Sequence, residues 1–179
     1  MKNIKKLMVC LLGAALSSSL NAQDANSYVH EQSDGYEWPT DKEVLAKLDK
    51  WQDQKFGVLF HWGLYSVPGV CESWPICCED WITRPMDSYY EYKKWYWGQS
   101  EKFNPTKFDP EQWADVMEDA GMKYMIFTTK HHDGFCMFDS KYTDFSIANG
   151  PFKDNPKKDV ARYVFDAFRA KNFMIGCYF

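Results

Sequence analysis

Three of the four histidines stand directly after apolar runs. His61 follows Phe56-Gly57-Val58-Leu59-Phe60, and the pair His131-His132 follows Lys123-Tyr124-Met125-Ile126-Phe127-Thr128-Thr129 and one lysine. A neutral imidazole carries a donor on one ring nitrogen and an acceptor on the other, which suits hydroxyl-rich ligands held in one orientation. Imidazole is also a metal ligand, but zinc wants three or four convergent donors, and the expectation here is no metal and no cofactor. Near these histidines lie Trp62, Trp74, Trp81 and Tyr178, whose ring faces can stack on the apolar side of a pyranose. The nearby acids are Glu72, Glu79, Asp80 and Asp133. Glycoside hydrolysis needs a carboxylic acid and a carboxylate across the scissile bond, and spacing does not choose a pair among these four. Each candidate also has a plainer reading: aromatic rings build cores, and loop acids are solvated.

The histidines can act together only if the chain brings the ends of those runs to one place. From Glu43 to about Gln54, Val44, Leu45, Leu48 and Trp51 recur at helical spacing, so a helix is expected beside the first strand. Phe56 to Phe60 reads as a short strand buried on both faces. Between Tyr65 and Phe108 the prolines at 68, 75, 85 and 105 predict a long loop, with one aromatic helix around Tyr89 to Trp97. Asp109-Pro110 opens a helix that Gly121 ends, Lys123 to Thr129 is a second strand, Asn155-Pro156 opens another helix, and Phe173 to Phe179 is a third strand. Strand and helix alternating in this way is α/β grammar. A doubly wound sheet would carry a glycine-rich turn after its first strand, and histidine stands there instead. Polar and aromatic residues after successive parallel strands point to a TIM-like (β/α)8 barrel. Such a barrel takes roughly 250 residues, so the expectation is a truncated barrel holding only the first three strands.

The formal charge is −4, with no basic block beyond the first residues, which argues against a nucleic-acid partner. Met1 to Lys6 is basic, Leu7 to Leu20 is apolar and thinned by small residues, and Asn21-Ala22 closes the run. This is the pattern of a signal peptide over 1–22, too short to span a membrane, and it predicts export to the periplasm or outside the cell. An extended lead-in over 23–42 then precedes the barrel portion, 43–179. Five cysteines remain after Ala22: Cys71, Cys77, Cys78, Cys136 and Cys177. That odd number leaves at least one unpaired within the chain. Cys136 and Cys177 read as buried small apolar residues, and the adjacent Cys77-Cys78 lack zinc-site spacing. Aromatic residues make up 18% of the chain, a load that serves core, sugar stacking or both.

Several blocks occur together in order: Phe60-His61-Trp62-Gly63-Leu64-Tyr65-Ser66-Val67-Pro68, Phe103-Asn104-Pro105, Trp113-Ala114, Thr128 to Cys136, and Ser140 to Phe145. In these the chain, from about Trp51 onward, resembles the N-terminal half of the α-L-fucosidase family of retaining glycoside hydrolases, family 29. The resemblance implies removal of terminal α-L-fucose from glycans on a (β/α)8-like barrel, and a fucosylated glycan or oligosaccharide as partner. It places His61, His131, His132 and Tyr178 on the sugar. It further implies a Glu-Trp pair in the loop after the first strand, matched here by Asp80-Trp81, with Glu79 and the Glu72-Ser73-Trp74 cluster as alternatives. The family's nucleophile follows its fourth strand and its acid/base lies later still, so the resemblance puts both catalytic carboxylates beyond Phe179 and implies an inactive fragment. A secreted carbohydrate-binding protein without catalysis is the rival reading, and a metal-dependent hydrolase built on the three histidines is a third.

Overall fold

The computed structural model describes residues 37–77 and 82–179, so the predicted signal peptide, most of the lead-in, and the loop residues Glu79, Asp80 and Trp81 lie outside the described residues. The chain divides into two compact units, the second running from Leu45 to Phe179. Of the first unit, residues 37–44 are described.

Helix α1 spans Lys42–Gln52. It starts where Asp41 Oδ1 accepts from the backbone N–H groups of Glu43, at 2.8 Å, and Val44, at 3.1 Å. Such a cap satisfies donors that the first helical turn leaves orphaned. Its apolar stripe is left largely open, for none of its residues is buried and Trp51 is 48% exposed. Trp51 makes a tilted ring contact with Tyr124 of the second strand, centroids 6.3 Å apart.

Strands β1 (Gly57–Phe60), β2 (Tyr124–Thr128) and β3 (Met174–Tyr178) form one parallel sheet in chain order. Phe60 pairs with Phe127 and Thr128 with Tyr178, so the three carboxyl ends finish side by side. Thr128 Oγ1 donates to Phe60 O at 3.0 Å, and Thr129 donates its N–H and its hydroxyl to Tyr178 O, both at 2.9 Å. These bonds tie the ends together beyond the ladder itself.

Helices α3 (Pro110–Asp119) and α4 (Val160–Ala170) cover one face of this sheet; α2 (Tyr89–Trp97) lies in the long connection after β1. Asp109 caps α3 by accepting from Gln112 N at 3.0 Å, with Pro110 at the first helical position. The helix ends at Gly121, whose positive φ of 80° lets Met122 N–H reach back to Met117 O at 3.1 Å. Asn155-Pro156 does not open the next helix: Asn155 Oδ1 accepts from Lys157 N–H in a tight turn, and Asp159 is the cap that starts α4 at Val160. Along α4 Val160, Ala161, Val164, Ala167 and Phe168 are buried. Phe60 packs on Trp113 of α3 at 5.3 Å and on Phe168 of α4 at 5.8 Å, which places the core between helices and sheet.

The sheet is therefore one-sided among the described residues. Met125 and Phe127 are 0% exposed on the helix face, whereas Leu59, which points the other way, is 47% exposed. The expectation of a β1 buried on both faces fails for this reason. Cys177 likewise proves exposed rather than buried, while Cys136 is buried as expected. The four described cysteines, Cys71, Cys77, Cys136 and Cys177, are free thiols.

Close strand approach makes Gly57 sensitive. A Cβ there would come within 2.4 Å of the Tyr124 ring and 2.5 Å of its carbonyl oxygen, which cannot yield without moving the ladder. Gly57→Ala is expected to cost about 1–3 kcal/mol, read as a lower urea midpoint. Gly98→Ala, whose added methyl meets open space, is expected to be neutral or stabilising.

Candidate functional site

Each strand end delivers a different side chain to one rim. His61 is the residue after β1, His131 and His132 come three and four residues after β2, and Tyr178 is the last residue of β3. The imidazoles of His61 and His131 lie 5.7 Å apart between centroids, and those of His131 and His132 4.7 Å apart. The Tyr178 ring stacks on His131 at 5.6 Å and 14°, and its hydroxyl lies 3.4 Å from His132 Nε2. The predicted convergence of the three histidines and the tyrosine is what the sheet register produces.

The acid at the centre is Glu72. Its Oε1 is 3.2 Å from His61 Nδ1 and its Oε2 is 3.3 Å from His131 Nε2. Oε2 also accepts from Trp74 Nε1 at 3.0 Å. Glu72 holds a φ of +47°, unusual for a residue with a Cβ, while its N–H donates to Val70 O at 2.9 Å. A left-handed non-glycine residue costs about 1–3 kcal/mol, and here the conformation sets the carboxylate between two imidazoles.

The loop that presents it is anchored from behind. Arg84 donates to Pro75 O at 2.7 Å and also to Cys77 O, and the Tyr89 hydroxyl donates to Ile76 O, so the short 3-10 turn Trp74–Ile76 is held by α2 and its approach. Ser73, 1% exposed, places its hydroxyl against His131 Nδ1. Both nitrogens of His131 are thus engaged, Nδ1 by Ser73 and Nε2 by Glu72. His61 Nδ1 is enclosed and makes no hydrogen bond, although Glu72 Oε1 lies 3.2 Å away.

Burial holds His131 below the ordinary histidine value, Glu72 partly offsets this, and His132 adds to it. His131 is accordingly neutral at physiological pH, with a donor and an acceptor to offer. The hydroxyl of Tyr65 is raised by burial, then by Glu72 and Asp133, and remains protonated.

Other candidates separate cleanly. Trp74, 41% exposed, faces the rim, with its ring 5.8 Å from that of His132. Trp62 points away, packed edge-on against Phe103 at 5.6 Å and Trp113 at 5.2 Å, and belongs to the core. Asp133 is turned inward: Oδ2 accepts from the Tyr96 hydroxyl at 2.6 Å and Oδ1 from Phe135 N–H at 2.9 Å. With Gly134 at φ +82°, Asp133 shapes the turn that carries the two histidines and does not face the cleft. Asp80 and Trp81 lie outside the described residues; among those described, Glu72 and Trp74 are the acid and tryptophan at the rim. Ser73 was not legible as a site residue, because an isolated serine between two candidates carries no spacing signal.

Fold and site together define an α/β protein with a polar, aromatic-walled rim at the carboxyl ends of parallel strands. A family model described as alpha-L-fucosidase matches residues 23–179, and the chain belongs to that family. The human tissue alpha-L-fucosidase is 32% identical, covering 96% of this chain and 36% of that protein. The human plasma alpha-L-fucosidase is also 32% identical, over 79% of this chain and 31% of its own length. An alpha-L-fucosidase of glycoside hydrolase family 29 from Bacteroides thetaiotaomicron, solved as a trapped covalent intermediate, superposes with a TM-score of 0.57 at 31% identity, over 75% of this chain and 30% of that one. Isoenzyme 1 from Paenibacillus thiaminolyticus gives 0.55 at 39% identity, over 72% and 27%. The chain spans about a third of the length of the curated relatives it matches.

Two measurements follow from this geometry. Tyr96→Phe leaves the buried Asp133 carboxylate one donor short, and is expected to cost about 1–3 kcal/mol in chemical denaturation. For His131, the native value lies below the ordinary 6.5, so between the two the unfolded chain binds more protons. Stability should rise with pH across that window and level off above it. Glu72→Gln removes the charge that raises His131 and should move its NMR titration midpoint lower still; a midpoint that rises would contradict the assigned contact.

Proposed function

We propose that this chain supplies the fucose-binding wall of a retaining α-L-fucosidase, and that the observation carrying this reading is the Glu72 carboxylate seated between His61 and His131 at the strand ends. Neutral imidazoles donate to and accept from sugar hydroxyls, and an ionised carboxylate accepts from them. Trp74 and Tyr178 offer ring surface to the apolar edge of the pyranose or its methyl group. Such a constellation binds a small polyol tightly because each polar group left unpaired by a wrong stereoisomer costs its full desolvation.

The one-sided sheet supports the barrel. Parallel strands occur almost only with both faces covered, and the face bearing Leu59 and the half-buried Tyr124 and Ile126 is where the remaining strands of a (β/α)8 barrel would pack. Its carboxyl-end rim is where such barrels keep their active sites.

Retaining hydrolysis needs two carboxyl groups about 5 Å apart, one as nucleophile and one as acid/base. Among the described residues only Glu72 presents a carboxylate to the histidines, and it lies against His61 and His131 while accepting from Trp74. The wall therefore orients the sugar, and the bond-breaking pair is assigned to the two thirds of the relatives' length that this chain does not span. On this reading the chain alone is inactive. Residues 1–22 direct export, so the substrate is a fucosylated glycan met in the periplasm or outside the cell.

Hydrolysis of an aryl α-L-fucoside tests this. The chain in a context supplying the remaining two thirds is expected to be active, and His131→Ala there to lose about 10²-fold or more in kcat/KM. The 179-residue chain is expected to be inactive. Activity of that chain by itself would place the catalytic pair among its own acids and overturn the assignment. Fucose binding with no hydrolysis in either form would favour a carbohydrate-binding protein.

A further inference from the structure

We propose that His61, Glu72 and His131 also form a binding site for a divalent transition-metal ion, a reversible occupant that excludes the sugar from the same rim. The three residues offer one ligand atom each, and these atoms all lie within 4.8 Å of one another. Two ligands bound about 2.0–2.2 Å from one zinc ion at tetrahedral angles sit about 3.3–3.5 Å apart. The nitrogen-to-oxygen separations, 3.2 Å for His61 and 3.3 Å for His131, are already within a few tenths of that. These two contacts run to different oxygens of Glu72, so closing the set of single ligand atoms, now within 4.8 Å of one another, around an ion draws the side chains in by up to about 1 Å.

Three further features point the same way. His61 Nδ1 is enclosed without a hydrogen-bond partner, although a carboxylate oxygen is 3.2 Å away. An enclosed polar atom left unsatisfied is costly, and an ion held jointly with that carboxylate would satisfy it. Ligating histidines ordinarily donate their second ring N–H to a neighbour, and ligating carboxylates are themselves hydrogen-bonded. Ser73 Oγ stands against Nδ1 of His131, ready to accept its N–H and leave the Nε2 lone pair facing the cluster. Trp74 Nε1 donates to Glu72 Oε2 at 3.0 Å. Both kinds of outer partner are thus in place.

Two imidazoles and one carboxylate suit zinc, copper or ferrous iron, and not calcium or magnesium, which prefer all-oxygen sets. With three protein ligands, a fourth position stays open to water. Binding of the ion stands on this donor set alone. Its antagonism with sugar rests on the fucose-binding reading above.

The test is a calorimetric titration of Zn2+ into the purified chain in a non-coordinating buffer, with circular dichroism to verify that each variant is folded. One site is expected. Glu72→Gln, close in shape to the native residue, and His61→Ala should each weaken it by about a hundredfold or more, while Cys71→Ser with Cys77→Ser should leave it unchanged. Co2+ in place of zinc should give visible bands with no thiolate charge-transfer absorption. Full-strength zinc binding by folded Glu72→Gln, a thiolate band, or no binding by the folded native chain would each overturn the site. L-fucose should raise the apparent dissociation constant for zinc. If Glu72→Gln abolishes zinc binding but fucose does not compete, the metal site stands and the sugar reading is what fails.

Discussion

Parallel pairing in a single register is the constraint from which the site follows. Phe60 opposite Phe127 and Thr128 opposite Tyr178 bring three carboxyl ends to one edge, and the Thr128 and Thr129 bonds to neighbouring carbonyls bind those ends together. A one-residue slip would invert every side chain between the helix face and the opposite face. Phe60 would leave Trp113 and Phe168, and His61 would leave Glu72. Core packing and rim chemistry are thus set by the same ladder, which is why Gly57, where β1 approaches Tyr124 most closely, sits so tightly.

The second constraint is the loop after β1. Fixing a residue's backbone costs about 1–2 kcal/mol in conformational entropy, so a long loop presents a carboxylate reliably only when something else holds it. Here Arg84 and Tyr89 grip the carbonyls of Pro75, Ile76 and Cys77, while Ser73 is buried against His131. Glu72 then occupies a left-handed conformation that a free loop would abandon. Its charge, in turn, sets where two imidazoles sit and how His131 titrates. The aromatic richness of the chain resolves into two populations by the same logic. Trp62, Phe103, Phe108 and Trp113 interlock as core, whereas Trp74 and Tyr178 stand at the rim with one edge in solvent.

Much of this was legible in the amino-acid order. Apolar runs of five to seven residues, two of them followed by histidine directly or after one lysine and the third carrying Tyr178 next to its end, marked the strands and their functional ends. Asp109-Pro110 and Gly121 marked both ends of a helix, because capping and the left-handed turn are local chemistry. The motif blocks around His61 and His131 were long enough to indicate the family that the match over 23–179 bears out. Where a local signal had two local solutions it misled: Asn155-Pro156 carries the marks of a helix start, but the asparagine side chain closed a turn on Lys157 and Asp159 became the cap.

What the sequence alone determined, then, were the elements, their order and the three histidines at strand ends, since these depend on contacts within a few residues. Among the described residues, tertiary structure decided which acid and which tryptophan join them. Glu72, Glu79, Asp80 and Asp133 are equivalent as residue types, and so are Trp62 and Trp74. Asp133 was withdrawn by a hydroxyl 37 positions away, on Tyr96, and Trp62 by Trp113 of α3. Ser73 was recruited by His131, 58 positions on. Those choices rest on long-range packing, where the partner's position in space and not its distance in sequence sets the energy.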